Sequence, residues 1–342
     1  MARVVISLVP WMAAVADLNA LGLRYSSHDA MSGAPTIAPP LWCIVRIDGA
    51  LRTGFPVLAQ RSRAVPGCWL LRVDRIGGDA IDRMAEYATE VFRVMRKARP
   101  LVLRVNIAMY EARVDVRRAM TASLVAAGYE PTVPRQYVET LLAKVLPTDD
   151  AQIASFSSGT RRNIREADRN GVVVRPVDYG AYRETIDRLL LDSFTRHGVS
   201  PLRVSPAQLM SGWAEQMVLL GAFLPEGTTG EKLVGFAKIE KVGDLGVYAA
   251  AGTLRRPELG RMPISYPLLR EGFRWARQVG CSTFDLGGVP PLGDEGDPRA
   301  SIAAFKAGFG GSRIAIGGEW QCSPNLALRS IDRAVQALRR FR

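Results

Sequence analysis

Strand-like and helix-like segments alternate along the entire chain, and this alternation constrains the fold more than any other feature. Trp42–Ile47 and Leu51–Ala59 are β-rich runs on either side of Asp48-Gly49, a dipeptide typical of a hairpin turn. Apolar residues recur every three or four positions in Ala80–Ala98, which predicts a helix. Further strands are predicted at 4–9, 69–73, 101–107, 136–145, 172–177, 232–240, 245–251, 283–286 and 312–316, and further helices from Pro10 and at 114–127, 182–196, 206–220, 264–279, 301–307 and 325–340. This alternation predicts an α/β protein with mixed sheets.

The second half of the chain repeats the order of the first, which indicates two domains. With 342 residues, of which 48% are hydrophobic, the chain has enough material for two cores. We place the boundary near Pro147–Asp150, which gives domains 1–148 and 149–342. The order hairpin, strand, helix, strand, helix, strand is that of an acyltransferase-type fold. No long uninterrupted helical pattern occurs, so we expect no coiled-coil arm.

Composition argues against several classes of protein. The formal charge of +12 favours a polyanionic partner such as nucleic acid, nucleotide or an anionic membrane. Two histidines and the absence of a GxSxG sequence argue against a metal centre and a serine hydrolase. The four cysteines are far apart and form no CxxC pair, which is typical of reduced core residues in a cytoplasmic protein: Cys43, Cys68, Cys281 and Cys322. No apolar run reaches the ~18 residues needed to span a bilayer, so we expect no stable membrane insertion.

The start of the chain has two interpretations. Arg3 and the apolar run Val4–Ala16 resemble a short secretory signal. A strand followed by a helix that opens at Pro10 is the favoured alternative, because proline suits the first turn of a helix.

A helix rich in arginine is predicted early in the second domain, capped by Thr160 and ended by Gly171. Its basic side chains share one face or lie next to it: Arg161, Arg162, Arg165 and Arg169. Arginine guanidinium groups at a helix N-terminus suit contacts with phosphate, because they donate paired hydrogen bonds beside the free backbone N–H groups. The alternative is a solvated helix face with Glu166 and Asp168 as local partners.

Two glycine-containing segments follow. In the segment 284–291 a strand runs into Gly287-Gly288, which permits a tight turn and a close approach to a ligand. In the segment 302–311 a short helix places Phe305 and Lys306 just before a glycine-rich exit. An aromatic ring beside a cation can stack a base and neutralise a phosphate or an oxyanion. Taken singly, the first segment is equally typical of a plain turn, and the second of core packing with a surface lysine.

Together these three segments resemble the Fem family of aminoacyl-tRNA-dependent peptidyl transferases. The motifs are T-R-R-N-I-R-x-A-x-R-x-G-V-x-V at Thr160–Val174, F-D-L-G-G at Phe284–Gly288 and F-K-x-G-F-G-G at Phe305–Gly311. The resemblance covers roughly residues 135 to 320, and the first 130 residues match only in general architecture. It implies two GNAT-like (acyltransferase) domains and aminoacyl-tRNA as the donor substrate, with no further cofactor.

The resemblance also implies roles for individual residues. Lys306 corresponds to the family's functionally important lysine at the aminoacyl-RNA end, and Phe305 to its aromatic neighbour. Asp285 is a candidate for orienting the amine or acting as base, with capping of the glycine turn as the alternative, and Gly287 and Gly288 are candidates for binding the acceptor. The arginines of the basic helix, together with Lys306, are candidates for contacting tRNA: Arg161, Arg162, Arg165 and Arg169.

The acceptor implied by the resemblance is the amine of a peptide-like molecule. The family's long helical arm has no counterpart here, and the N-terminal half shows no pocket pattern for a UDP-sugar. A small peptide antibiotic intermediate is therefore favoured, with a peptidoglycan precursor next.

Two other functions remain open. An acyl-CoA-dependent N-acyltransferase would need a pyrophosphate loop, and the corresponding Thr253–Met262 contains arginines but only one glycine. A non-catalytic RNA-binding protein would explain the positive charge but gives no purpose to Phe305-Lys306.

Overall fold

The computed structural model describes most of the chain. The described residues are 2–10, 13–14, 41–62, 65–76, 79–99, 101–134, 138–196, 217–226, 230–255, 262–290, 300–323, 328–331 and 334. They form two compact units, each built on a mixed sheet of seven strands. The first contains the described residues up to Val138 and from Ala315 onward, and the second spans Glu139–Ile314.

The sheet of the first unit has the order β1-β2-β3-β4-β5-β14-β6. Its strands are β1 Val4–Pro10, β2 Leu41–Ile47, β3 Ala50–Arg61, β4 Trp69–Ile76, β5 Val102–Met109, β6 Glu130–Thr132 and β14 Glu319–Cys322. The pair β4–β5 is parallel and the other pairs are antiparallel. Asp48 and Gly49 join β2 to β3 with φ of 51° and 84°, the left-handed geometry that a two-residue hairpin turn requires.

Helices cover one face of this sheet. They are α1 Asp79–Met84, α2 Ala88–Met95 and α3 Val114–Ala126, with a 3₁₀ turn at Ala85–Tyr87 between the first two. The predicted helix Ala80–Ala98 is therefore interrupted. Its apolar residues nevertheless face the core, where Val91, Phe92 and Met95 are buried.

The sheet of the second unit has the order β13-β7-β12-β11-β10-β9-β8. Its strands are β7 Glu139–Lys144, β8 Val173–Pro176, β9 Met217–Glu226, β10 Gly230–Val242, β11 Leu245–Thr253, β12 Thr283–Val289 and β13 Ser312–Ala315. Only β11–β12 is parallel among the pairs whose register is known. The helices are α4 Asp149–Ser155, α5 Ser158–Arg169, α6 Tyr179–Arg196, α7 Ser265–Gln278 and α8 Ala300–Ala307.

Small residues let helices approach this sheet closely. A Cβ on Gly252 of β11 would lie 2.5 Å from the carbonyl oxygen of Leu189 in α6, and one on Gly235 of β10 would lie 2.7 Å from Ile264, just before α7. Phe273 of α7 stacks on Phe284 of β12 with ring centroids 4.3 Å apart. One continuous apolar cluster fills the space between α7 and the sheet.

The structure divides the chain differently from the predicted boundary at 148/149. Glu139–Lys144 already belongs to the second sheet, where it pairs with β12. After β13 the chain returns to the first unit, where Glu319–Cys322 pairs with both β5 and β6. These pairings join residues far apart in sequence, and no local pattern indicates them.

Four other segments differ from the sequence-based expectations. The helix predicted at 206–220 is wrong where it can be checked, because Met217–Glu226 is a strand whose central residues are buried. The strands β6 and β14 and the helix Asp149–Ser155 were not predicted. The helix predicted from Pro10 and the one at 325–340 lie mostly outside the described residues.

Candidate functional site

The strands β11 and β12 are paired only at their amino ends and part toward their carboxyl ends. Their parallel pairing joins Leu245–Val247 to Thr283–Asp285 and ends there, although β11 continues to Thr253 and β12 to Val289. On its other side β12 shifts register against β7 between Asp285 and Gly288. Within this irregularity Gly287 has a φ of +85°, a conformation that favours glycine. An opening at the carboxyl end of parallel strands is a favoured position for a ligand.

Asp285 holds this turn. Its carboxylate is fully buried, and its Oδ1 atom accepts a hydrogen bond from the backbone N–H of Gly287 at 2.7 Å. The same oxygen accepts a hydrogen bond from the Thr140 hydroxyl, on β7. Thr140 is the one contributor to the turn that was not predicted, because it lies outside the three motifs. These contacts agree with the structural alternative for Asp285; a role as base stays a prediction.

Lys306 reaches the same turn from α8. Its Nζ atom donates to the carbonyl oxygen of Gly288 at 3.0 Å, and the residue is only 9% exposed. Burial lowers the pKa of the Lys306 ammonium to about 8, although the negative charge of Asp285 opposes this shift. A Cβ on Gly287 would lie 3.2 Å from this Nζ atom, so a side chain at Gly287 would crowd the lysine.

Phe305 belongs to a cluster of aromatic side chains. Its ring meets Tyr266 edge-on with centroids 5.0 Å apart, and it meets Phe309 in the same way at 5.3 Å. These contacts anchor α8 against α7. They show Phe305 as a packing residue that fixes the helix carrying Lys306, and base stacking by Phe305 stays a prediction.

The glycines after Lys306 let the end of α8 touch its neighbours. A Cβ on Gly308 would lie 2.4 Å from the Thr160 hydroxyl oxygen, and one on Gly310 would lie 3.0 Å from the Ser155 carbonyl oxygen. The backbone N–H of Ser157 donates to the Gly308 carbonyl oxygen at 2.8 Å. The start of the basic helix and the end of the lysine helix are therefore fixed to each other, and the structure brings the three sequence motifs together.

The basic helix is α5, and Ser157, rather than the predicted Thr160, caps it. The Ser157 hydroxyl accepts the N–H of Thr160 at 3.1 Å, while the Thr160 side chain is buried. Serine and threonine three residues apart are both suitable caps, and the sequence does not decide between them. Gly171 follows the helix with a φ of +76°, as predicted.

The four arginines of α5 divide into two groups. Arg161 is half-buried and donates to the carbonyl oxygens of Ala154 and Phe156, which closes the preceding helix. Arg162, Arg165 and Arg169 are exposed, and we call these three the basic stripe. Within the described part of the chain, none of the three has an acidic partner.

Several arginines elsewhere in this unit pair with carboxylates. In α7, Arg274 and Arg277 both pair with Asp149, and Arg270 pairs with Asp168 of the basic helix at 2.7 Å. Arg175 pairs with Glu231 at 2.7 Å. The basic stripe is thus a local excess of positive charge, which the solvated-face alternative does not explain by pairing.

A second buried charge pair lies on β10. Lys238 and Glu240 are each 1% exposed, and the Lys238 Nζ atom lies 2.7 Å from the Glu240 Oε1 atom. Glu240 pairs with Val247, and Val247 pairs with Asp285, so the two carboxylates share one face of the sheet. This pair was not predicted from the sequence, although two charges in alternate positions of an apolar strand are a readable signal.

The remaining sequence predictions meet the structure only in part. Most of the candidate pyrophosphate loop Thr253–Met262 lies outside the described residues, as do both histidines. Among the residues described, no group of three or more His, Cys, Asp and Glu side chains is placed to hold a metal ion. No helix in that part of the chain is long and apolar enough to cross a membrane.

Comparison with known proteins gives a likeness of structure rather than of sequence. No protein-family model matches the sequence, and no curated protein matches it significantly. FemX superposes with a TM-score of 0.70 and 14% identity over 90% of this chain and 93% of FemX. L-PGS from Bacillus licheniformis has a TM-score of 0.53 and 12% identity over 98% of both chains. The C-terminal domain of a putative lysylphosphatidylglycerol synthetase from Agrobacterium fabrum has a TM-score of 0.52 and 13% identity over 94% of this chain and 95% of that domain.

Identities this low establish a shared fold and no more. The α/β architecture with two mixed sheets is as predicted. The chain therefore has the two-domain, acyltransferase-type fold of FemX, and the resemblance to the Fem family is confirmed at the level of the fold.

Proposed function

We propose that this protein transfers the aminoacyl group of a charged tRNA to the amine of a peptide-like acceptor. The observation that carries the proposal is the junction between Ser157 and Gly308. It holds an unneutralised basic stripe at a fixed position relative to a buried lysine. A donor bound through its phosphates on α5 would therefore present its reactive end at a defined place near Lys306.

The donor needs little chemical activation, because an aminoacyl ester is already reactive toward an uncharged amine. The protein must align the two reactants, which contributes up to roughly 7–11 kcal/mol in favourable cases. It must also neutralise the negative charge that develops on the ester oxygen. An ammonium aimed at that oxygen, or at a nearby phosphate, contributes roughly 2.7–4 kcal/mol.

Lys306 is the group we assign to this task. Its Nζ atom is oriented by the Gly288 carbonyl and lies beside the side-chain-free Gly287, over which the acceptor can approach. Asp285 acts as a positioning residue in this proposal, because it holds the turn and faces the ammonium charge. Phe305 acts likewise, through the aromatic contacts that fix α8.

The proposed acceptor is a small peptide of the kind found in antibiotic assembly, with a peptidoglycan precursor as the next candidate. This choice of acceptor rests on the compact second unit, which has no long helical arm among its described residues. Its longest described helix is the 18-residue Tyr179–Arg196. We propose that the reaction takes place in the cytoplasm, where charged tRNA is available.

An acyl-CoA-dependent N-acyltransferase is the rival function, and one observation is compatible with it. Arg196 donates through both terminal nitrogens to the Thr253 carbonyl oxygen, at 3.2 and 3.3 Å. Burial lowers the pKa of Arg196, and the nearby charge of Arg255 lowers it further. Two arginines at the carboxyl end of β11 would suit the phosphates of either donor.

Binding of RNA to the basic stripe tests the proposal. In the double variant Arg165→Glu/Arg169→Glu, we expect the affinity for aminoacyl-tRNA to fall by at least ten-fold. The slope of log Kd against log salt concentration should become shallower by about one for each phosphate that the variant no longer neutralises. Filter binding at several salt concentrations measures both.

The matched control is Arg183→Glu/Arg188→Glu, which makes the same charge change on exposed positions of α6 in the same unit. Equal losses in the two double variants would mean that tRNA responds only to net charge, which would contradict a specific role for α5. Unchanged tRNA affinity together with saturable acyl-CoA binding would favour the rival.

A further inference from the structure

A basic and aromatic patch lies at one end of the first unit's sheet. Arg61 ends β3, and it pairs directly with Trp69, the first residue of β4. The Arg99 guanidinium lies 4.5 Å from the centroid of the Trp69 ring, and that of Arg61 lies 5.4 Å from it. The backbone N–H of Trp69 donates to the Leu101 carbonyl at 3.0 Å. We call Arg61, Trp69, Arg99 and Leu101 the Trp69 patch, and Lys97 precedes Arg99 by two residues in the chain.

Leu101 is unusual within this patch. Its side chain is 59% exposed, and its φ is +51°, in the left-handed region. A leucine in this conformation is less stable than glycine or asparagine would be, because its Cβ crowds the backbone. An exposed aliphatic side chain at a strained position gains nothing for the fold. Strain of this kind points to a function of the side chain itself.

The charges of the patch are not neutralised locally. Arg61 and Lys97 are exposed, and Arg99 is partly exposed. In the part of the chain that the structure describes, none of these three forms an ion pair with an acidic residue. The patch therefore presents two positive charges over an indole ring beside an exposed leucine, with a third charge, Lys97, two residues before Arg99 in the chain.

This combination fits a lipid surface better than RNA. Single-stranded RNA is usually held by aromatic faces open to its bases, and here two guanidinium groups already lie within 6 Å of the indole. RNA also offers little to an aliphatic side chain, whereas the interface of a bilayer accepts leucine and tryptophan beside arginine and lysine. Each basic residue near an anionic surface strengthens binding about five-fold, equivalent to about 1 kcal/mol.

We propose that the Trp69 patch docks the first unit reversibly on the surface of an anionic lipid bilayer. Leu101 inserts at the level of the headgroups, and Arg61 and Arg99 face the lipid phosphates. The proposal is independent of the transfer reaction. It requires no membrane-spanning segment, because docking uses the surface alone.

Co-sedimentation of the full chain with vesicles tests this proposal. We expect binding to phosphatidylcholine vesicles containing phosphatidylglycerol, and little binding to phosphatidylcholine alone. Arg99→Gln should weaken this binding about five-fold. Leu101→Asn should weaken it about five- to ten-fold, because the buried apolar area is lost. Asparagine tolerates the left-handed conformation, so this variant should melt no lower than the unchanged protein.

The matched controls are Arg118→Gln and Val114→Asn, which remove an exposed arginine and an exposed valine from α3 in the same unit. They should bind vesicles as the unchanged protein does. The proposal is overturned if Leu101→Asn and Arg99→Gln bind as well as these controls. It is equally overturned if the two variants lose affinity for tRNA while keeping their affinity for the vesicles.

Discussion

Lys306 is the residue at which burial and charge conflict most directly. Its ammonium sits almost out of contact with water, with a single carbonyl oxygen at 3.0 Å and a carboxylate near enough to influence its pKa. Burial disfavours the charged form, and an energetically costly arrangement of this kind is common at sites that handle charge. The consequence is a lysine that loses its proton near physiological pH.

The pH dependence of the reaction should reveal this lysine. If the ammonium neutralises developing charge, activity contributed by Lys306 is full below its pKa of about 8 and is lost as the pH rises through that value. The Lys306→Arg variant should retain reduced activity without this loss, because a guanidinium remains charged. The quantity to measure is the ratio of kcat/KM for the unchanged protein to that for the variant, from pH 6 to 10.

Titration of the acceptor amine affects both proteins equally, so it cancels in this ratio. We expect the ratio to fall through pH 8. A ratio that rises through pH 8 would contradict the assigned role and would mean that the neutral amine of Lys306 acts as a base.

Gly308 is the residue whose replacement should separate the two motifs it joins. A Cβ at this position would lie 2.4 Å from the Thr160 hydroxyl oxygen, so Gly308→Ala must displace α8 or the start of α5. We expect a loss of about 1–3 kcal/mol in the free energy of unfolding, and a loss of activity larger than the loss of folded protein. Chemical denaturation and kinetics at saturating donor measure the two effects.

Gly159→Ala is the control for this prediction. Gly159 lies in the first turn of α5, where a Cβ would meet only the Ser157 hydroxyl at 3.9 Å. This variant should be more stable by about 0.5–1 kcal/mol, because alanine favours the helix. Equal effects of the two substitutions would show that Gly308 makes no special contact.

At the scale of single elements, β10 carries a buried pair of opposite charges. Its Lys238–Glu240 pair is buried in an otherwise apolar strand, and burial lowers the pKa of Lys238 while Glu240 opposes that shift. A buried ion pair seldom adds net stability, because desolvation of the two charges offsets their attraction. The pair shares a sheet face with Asp285, two strands away.

Removing one member of the pair should therefore harm the protein more than removing both. Glu240→Leu leaves a buried ammonium and should cost about 3–5 kcal/mol. The double variant Lys238→Met/Glu240→Leu should cost markedly less than the single variant. Urea denaturation of the double variant and of both single variants measures these losses. A loss in the double variant equal to the sum of the losses from Lys238→Met and Glu240→Leu would contradict the interpretation.

Elements that the sequence predicts well are those with a strong local signal. Asp48-Gly49 fixes a hairpin, and the helices predicted at 114–127 and 264–279 are followed by glycines with positive φ, Gly128 and Gly280. Met217–Glu226 lacks such a signal, because a short apolar run suits a buried strand and a buried helix alike. The 3₁₀ turn at Ala85–Tyr87 was not predicted either, because the apolar periodicity of the helix continues across it.

At the scale of the whole molecule, the topology depends on pairings that no local pattern encodes. Two α/β domains and the three motifs of the site could be predicted from the sequence. The return of Glu319–Cys322 to the first sheet and the entry of Glu139–Lys144 into the second could not. Long-range pairing also explains why Thr140 was not predicted, because it meets Asp285 across 145 residues of chain.

The most direct test of the central claim is a transfer assay read by mass. The purified protein is incubated with a pool of aminoacyl-tRNAs, or separately with acetyl-CoA, together with amine-bearing peptides and peptidoglycan precursors. We expect an acceptor to gain the mass of one amino-acid residue only when charged tRNA is present, and to gain it about 10²–10³ times more slowly with Lys306→Met. Acylation from acetyl-CoA while charged tRNA is inert would contradict the claim and assign the fold to a different donor.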